Sequence, residues 1–211
     1  MEASFIPIDN ATPVRVLQHP AEARHHLNTA RWVQAGLRHA MVIAAKDFTP
    51  GDWTVPGYEP VLLFPGEPAQ AAAHPTAAPA ALPAHYAQRK EASGLESPST
   101  PSAPRRSLVV IDGTWRQANA ILREHPALLS LPRLALTTIN QSAYRLRKSP
   151  RADGLSTIEA VALALDILDA PAQHDALLQP FKDRIDAQIR LQREIMGEAA
   201  FAKNYPHLSE P

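Results

Sequence analysis

Four consecutive residues near the middle of the chain, Asp112-Gly113-Thr114-Trp115, place a carboxylate, a hydroxyl and a large aromatic ring directly after the apolar run Ser107 to Ile111 (SLVVI). That run reads as a buried strand, and Thr114 with the residues after it reads as a helix start. Thr114 and Gln117 are spaced as a capping box, in which the hydroxyl accepts the amide three residues on and the Gln side chain reaches back. A carboxylate at this junction sits at the mouth of a sheet, beside a helix N-terminus whose free amides and positive dipole end favour negative charge. From there it can take a proton from a bound substrate. The same position also suits a plain helix cap, and Trp115 also suits core packing.

Two further groups carry chemistry. Ser156 and Glu159 are spaced as a second capping box, the simplest role for Glu159, while the Ser156-Thr157 hydroxyls and amides suit the carboxylate of a cofactor. The run Tyr144-Arg145-Leu146-Arg147-Lys148, with Arg151 close by, joins several cations to an aromatic ring. This pairing suits phosphate contact with base stacking, and equally a solvated loop. His19, His25 and His26 are close in sequence, but their spacing does not set two imidazoles on one helix face and no carboxylate-rich motif accompanies them. With no cysteine in the chain, no metal site is expected. Gly113 stands alone, without GxGxxG or GxxxxGK[ST], which disfavours a Rossmann dinucleotide enzyme and a P-loop NTPase.

The elements that must position these residues follow from periodicity. Val14 to Gln18, Met41 to Ala45, Val61 to Phe64, Ser107 to Ile111 and Leu134 to Thr138 read as short, buried strands. Asn28 or Thr29 caps a helix to about His39 with Ala30, Val33 and Leu37 inward, and the helix after Thr114 ends near His125-Pro126. Thr157 to Leu168 is apolar nearly all round and must be buried on most sides. After Pro180 a stripe at Phe181, Ile185, Ile189 and Met196 packs one face on the core. Short apolar strands alternating with helices predict an α/β domain, a mainly parallel sheet flanked by helices, with ligands at the C-terminal ends of the strands.

With 211 residues, 45% of them hydrophobic, the chain can bury one sizeable core, so a single domain over 1–211 is expected. Lys+Arg and Asp+Glu balance at 21 each, which argues against a broadly basic, histone-like binder and leaves room only for a local basic patch. There is no apolar stretch of membrane-spanning length and no leader pattern at the start, so a cytoplasmic location is expected. Glu67 to Arg106 turns to Ala, Pro and Ser and reads as a flexible insertion at about 67–106. Replacing Gln70 to Ser102 by a short Gly/Ser linker is expected to leave the melting temperature within a few degrees; collapse of the folded state would assign the segment to the core.

Taken in order, these segments resemble the DTW-domain family, named for an Asp-x-Thr-Trp motif present here as Asp112 to Trp115. VRVLQHPAEARHHLNTARW (Val14 to Trp32), VLLFP (Val61 to Pro65), SAYRLRKSP (Ser142 to Pro150) and LSTIEAVALAL (Leu155 to Leu165) also match. The resemblance implies a fold similar to the SPOUT RNA methyltransferases, with a C-terminal knot, and a tRNA-uridine aminocarboxypropyltransferase using S-adenosylmethionine. It implies a cofactor site lined by Leu63, Phe64, Pro65, Gly113, Thr114, Trp115, Leu155, Ser156, Thr157 and Glu159. It further implies Asp112 as the base, and His25, Arg31, Tyr144, Arg145, Arg147, Lys148 and Arg151 toward tRNA. Many family members carry a Cys-rich segment before the first strand; this chain has no cysteine, so the tRNA species and the uridine position stay open.

In acp transfer, N3 of uridine attacks the methionine γ-carbon and 5′-methylthioadenosine leaves. The alternatives left open are a methyltransferase presenting the methyl carbon of the same cofactor, and a non-catalytic RNA-binding module on the same fold.

Overall fold

A computed structural model describes residues 6–25, 28–64, 104–136 and 155–208. Five strands, β1 (Val14–Gln18), β2 (Ala40–Ala44), β3 (Glu59–Leu63), β4 (Arg106–Asp112) and β5 (Arg133–Leu134), form one sheet in the order β2-β1-β4-β3-β5. Every pairing is parallel. Parallel neighbours cannot be joined by tight hairpins, and among the described residues helices stand between strands and cover both faces. They are α1 (Pro20–Ala23), α2 (Ala30–Gly36), α3 (Pro50–Trp53), α4 (Trp115–Glu124), α5 (Pro126–Leu129), α6 (Thr157–Leu168), α7 (Gln179–Met196) and α8 (Glu198–Asn204).

Strand alternation sorts the side chains into two cores. Val14 and Val16 of β1 and Leu108 and Val110 of β4 face α2, α6, α7 and α8, where Val33, Ile158, Leu165, Phe181 and Phe201 complete the larger core. Leu17, Leu62 and Val109 point the other way, against Phe48, Trp53, Ile121, Leu122 and Leu128 from the α3, α4 and α5 side. The alternation carries one step further at the strand ends. Gln18 follows Val14 and Val16, Asp112 follows Leu108 and Val110, and the register pairs Gln18 with Asp112. Both polar residues therefore crown the larger core on the α2/α6 side.

Several elements lie where the pattern predicts, α6 over the expected residues among them. Others are bounded by partners far along the chain. The helix expected to reach His39 ends at Gly36, because Leu37 turns extended and forms a parallel bridge with Ile8. Ile8 N–H donates to Gly36 O at 2.8 Å and Arg38 N–H to Ile8 O at 2.9 Å, a ladder that a helix to His39 would forbid. Of the strand expected over Leu134 to Thr138, the described residues show Arg133–Leu134 paired with Leu62 and Leu63, and 137–138 lie outside the described residues. At the other end of the expected insertion, Arg106 already belongs to β4, and Glu59 N–H donates to Arg105 O at 2.7 Å. β3 is entered through a turn in which Tyr58 N–H donates to Val55 O, with Pro56 and then Gly57 at φ 82, a conformation costly for any residue with a Cβ.

His174 ties the end of α6 to the rest of the molecule. It is 1% exposed, and its Nδ1 lies 3.0 Å from Asp166 Oδ1 while its Nε2 lies 3.6 Å from Asp169 Oδ2. Asp166 Oδ1 also accepts the His174 amide at 2.7 Å, and Asp169 Oδ2 accepts Ala11 N–H at 3.1 Å. Two carboxylates at a helix C-terminus oppose the negative dipole end, so the imidazole between them and the two amides are what make the arrangement tolerable.

Candidate functional site

Asp112 ends the central strand, and two separate segments converge on its carboxylate. Oδ2 accepts Gln18 Nε2–H at 2.6 Å, and Oδ1 accepts the Thr157 hydroxyl from the first residue of α6. The ladder continues past the strand, with His19 N–H donating to Asp112 O at 2.9 Å. Gln18, 2% exposed, passes its amide on to Asn28 Oδ1 at 2.9 Å. Asn28 Oδ1 in turn accepts the amides of Ala30 at 3.0 Å and Arg31 at 3.4 Å, which settles the capping of α2 in favour of Asn28 over Thr29. The result is one polar chain, Thr157 to Asp112 to Gln18 to Asn28, running from the N-terminus of α6 to that of α2. Asp112 itself is only half-buried. An ionised carboxylate has about four acceptor positions, so two donors leave it room to receive a substrate N–H.

Around this centre the caps form as the spacing predicts. Thr114 N–H donates to Gln117 Oε1 at 2.6 Å and Gln117 N–H to Thr114 Oγ1 at 3.3 Å, closing the box that starts α4. A Cβ at Gly113 would come within 3.1 Å of Gln117 Cβ and 3.2 Å of its Oε1, so Gln117 would have to give by a few tenths of an ångström. Trp115 is not core. It is 52% exposed and stacks on Phe64, with ring centroids 5.3 Å apart and planes 17° from parallel. Leu63, the last residue of β3, packs on the larger core. On the other side Glu159 Oε2 accepts both the Ser156 amide at 2.8 Å and the Ser156 hydroxyl at 2.6 Å, so its carboxylate is engaged in the cap, and Leu155 directly precedes it.

Of the residues expected to face RNA, Arg31 is exposed on a cleft of about 430 Å3 that it shares with Gln18, Asn28, Gln34 and Val42, next to the polar chain. His25 is exposed after α1. Pro65, Tyr144, Arg145, Arg147, Lys148 and Arg151 lie outside the described residues, and so does His26. Among the described residues no group of three His, Asp or Glu is disposed to hold a metal ion. No helix among them is long and apolar enough to cross a membrane.

Gln18 and Asn28 went unnoticed as site residues on sequence grounds. The one available signal was parity: a Gln closing an apolar run at the position where the next core residue would fall.

A sheet of parallel strands whose C-terminal ends gather a carboxylate, two capped helix starts and a stacked aromatic pair is the ligand-binding arrangement of open α/β domains. The family profile described as the DTW domain matches residues 1–189. The chain belongs to the DTW-domain family. A Drosophila melanogaster protein named tRNA-uridine aminocarboxypropyltransferase 2 is 30% identical over 179 residues, covering 81% of this chain and 62% of that protein. A mouse protein of the same name is 37% identical over 110 residues, covering 48% and 35%. An Arabidopsis thaliana protein named tRNA-uridine aminocarboxypropyltransferase A is 27% identical over 188 residues, covering 80% and 66%. The chain thus spans less than two thirds of the length of each of these relatives. No solved structure matches significantly.

Proposed function

We propose that this chain transfers the 3-amino-3-carboxypropyl group of S-adenosylmethionine to N3 of a uridine in tRNA. The observation that carries the reading is the Asp112 carboxylate, half-exposed at the end of the central strand and held by Gln18 and Thr157. The names of the relatives support the same activity. Knotted threading of a single domain in the cytoplasm belongs to the reading, and the position of β4 between β1 and β3, both of which precede it in the chain, is compatible with it.

The residues present fit S-adenosylmethionine. The exposed ring of Trp115 on Phe64 suits an adenine face, and the N-terminal amides of α4 and α6 suit a carboxylate. Leu63, Phe64, Pro65, Gly113, Thr114, Trp115, Leu155, Ser156, Thr157 and Glu159 would hold it. When bound, it supplies an electrophilic γ-carbon with 5′-methylthioadenosine as leaving group. The task left to the protein is to hold the uracil in line and to accept the N3 proton as the new N–C bond forms and the C–S bond breaks. Asp112 takes that proton. Gln18 and Thr157 fix the direction of its lone pairs. His25, Arg31, Tyr144, Arg145, Arg147, Lys148 and Arg151 would steady the RNA.

Incubation of the full chain with S-adenosylmethionine and an unmodified tRNA transcript is expected to yield 5′-methylthioadenosine and a uridine heavier by the aminocarboxypropyl group, read by mass spectrometry of the nucleosides. S-adenosylhomocysteine as the sole cofactor product would replace this reading by methyl transfer. Absence of both products together with no calorimetric binding of S-adenosylmethionine would leave a non-catalytic RNA-binding module.

A further inference from the structure

A second open groove, of about 680 Å3, lies on the α4 side of the sheet, across from the Asp112 carboxylate. Its lining residues are Phe64, Arg116, Asn119, Leu122, Arg123, Leu129 and Arg133. Arg116, Asn119 and Arg123 are spaced i, i+3 and i+7 and so share one face of α4. Arg133 enters from β5, which the register sets beside Leu62 at the far end of the same groove wall, and its guanidinium lies 5.9 Å from the centre of the Phe64 ring. Among the described residues three guanidinium groups therefore line the groove and no carboxylate does, in a chain whose formal net charge is zero. Arg116 and Arg123 are exposed and make no ion pair with a described residue.

We infer that this groove holds the phosphate backbone of the tRNA, an inference that rests on the proposed function. Guanidinium forks match phosphate oxygens in pairs, and Arg116 and Arg123 stand about 10 Å apart along the helix axis, far enough to engage different phosphates of one strand. Phe64 closes the groove toward the strand ends and stacks on Trp115, so phosphate contacts along α4 lead up to the proposed cofactor site. α4 begins three residues after Asp112. RNA seated along α4 would thus bring an unpaired nucleotide to the strand ends, from which its base crosses to the Asp112 side. Guanidinium groups spaced along one helix face match the regularly repeating phosphates of a nucleic-acid strand better than scattered acidic side chains.

The test is binding of an unmodified tRNA transcript to the full chain between about 50 and 200 mM salt, where phosphate contacts dominate the slope. Arg116→Gln with Arg123→Gln is expected to weaken binding about tenfold and to lower the slope of log affinity against log salt by about two. Its melting curve and its calorimetric affinity for S-adenosylmethionine should match the parent. Arg184→Gln with Arg190→Gln removes the same charge from the exposed side of α7 and should leave the slope alone. Parent protein that binds tRNA with a slope unchanged in the Arg116/Arg123 variant, or equally changed in the α7 variant, overturns the groove and leaves the proposed function standing. Parent protein that binds no tRNA overturns both.

Discussion

Asp112→Asn is expected to lower turnover by about two to four orders of magnitude, the usual worth of general-base catalysis. The exchange keeps the shape of the side chain and still fits the surroundings. The Asn oxygen can accept Gln18 Nε2–H, and its amide can donate to the Thr157 hydroxyl, which turns from donor to acceptor. What the amide cannot do is take the N3 proton. Because the lost interaction exists only in the transition state, kcat and kcat/KM should fall together while the calorimetric affinity for S-adenosylmethionine holds. Gln18→Leu offers a graded companion. It preserves volume and removes the positioning bond, while Asn28 Oδ1 keeps its two amide donors, so kcat should fall by up to about a hundredfold with cofactor affinity intact. An Asp112→Asn variant that turns over within a few-fold of the parent but loses about 1 kcal/mol of stability would make Asp112 a structural cap.

His174→Ala is expected to cost about 3 to 5 kcal/mol of folding stability, with the catalytic groups themselves untouched. The side chains of Asp166 and Asp169 are 9% and 3% exposed, and removal of the imidazole leaves both carboxylates out of water, close together and at the unfavourable end of α6. The measurement is urea unfolding: the midpoint should fall with the slope unchanged, which separates lost stability from a changed unfolded state. For a domain of ordinary stability, a loss of this size consumes a large share of the total. A change under about 1 kcal/mol would mean that the carboxylates reach solvent or the backbone amides suffice. Asp112 lies at the opposite end of α6, beside Thr157, so any variant that still folds should keep its affinity for S-adenosylmethionine.

Much of the fold was legible because local forces suffice for it. VRVLQ and SLVVI are runs of strand length rich in branched apolar residues, and TIEAVALALDIL, preceded by a serine and with a Glu at its third position, has both the start signal and the apolar surround of a buried helix. The boxes at Thr114/Gln117 and Ser156/Glu159 close as their spacing predicts, since each is satisfied within four residues. Asp112 was legible for the same reason, as the polar residue that ends the clearest strand. α8 was not: its buried Phe201 stands in a short, otherwise mixed segment, and only the core that it fills makes it a helix.

By itself, then, the sequence determined the alternation of strands and helices, the caps, and the location of a carboxylate at a strand end, all set by period and by hydrogen bonds between near neighbours. Only the tertiary structure decided that Gln18 is the register partner of Asp112, that Thr157 meets the same carboxylate from 45 residues away, and that α2 stops at Gly36 because Ile8 pairs beyond it. It also decided that Arg133 joins Arg116 and Arg123 in one groove. These are non-local choices, made by the order in which parallel strands share a sheet, and no pattern within one segment encodes which distant segment will lie beside it.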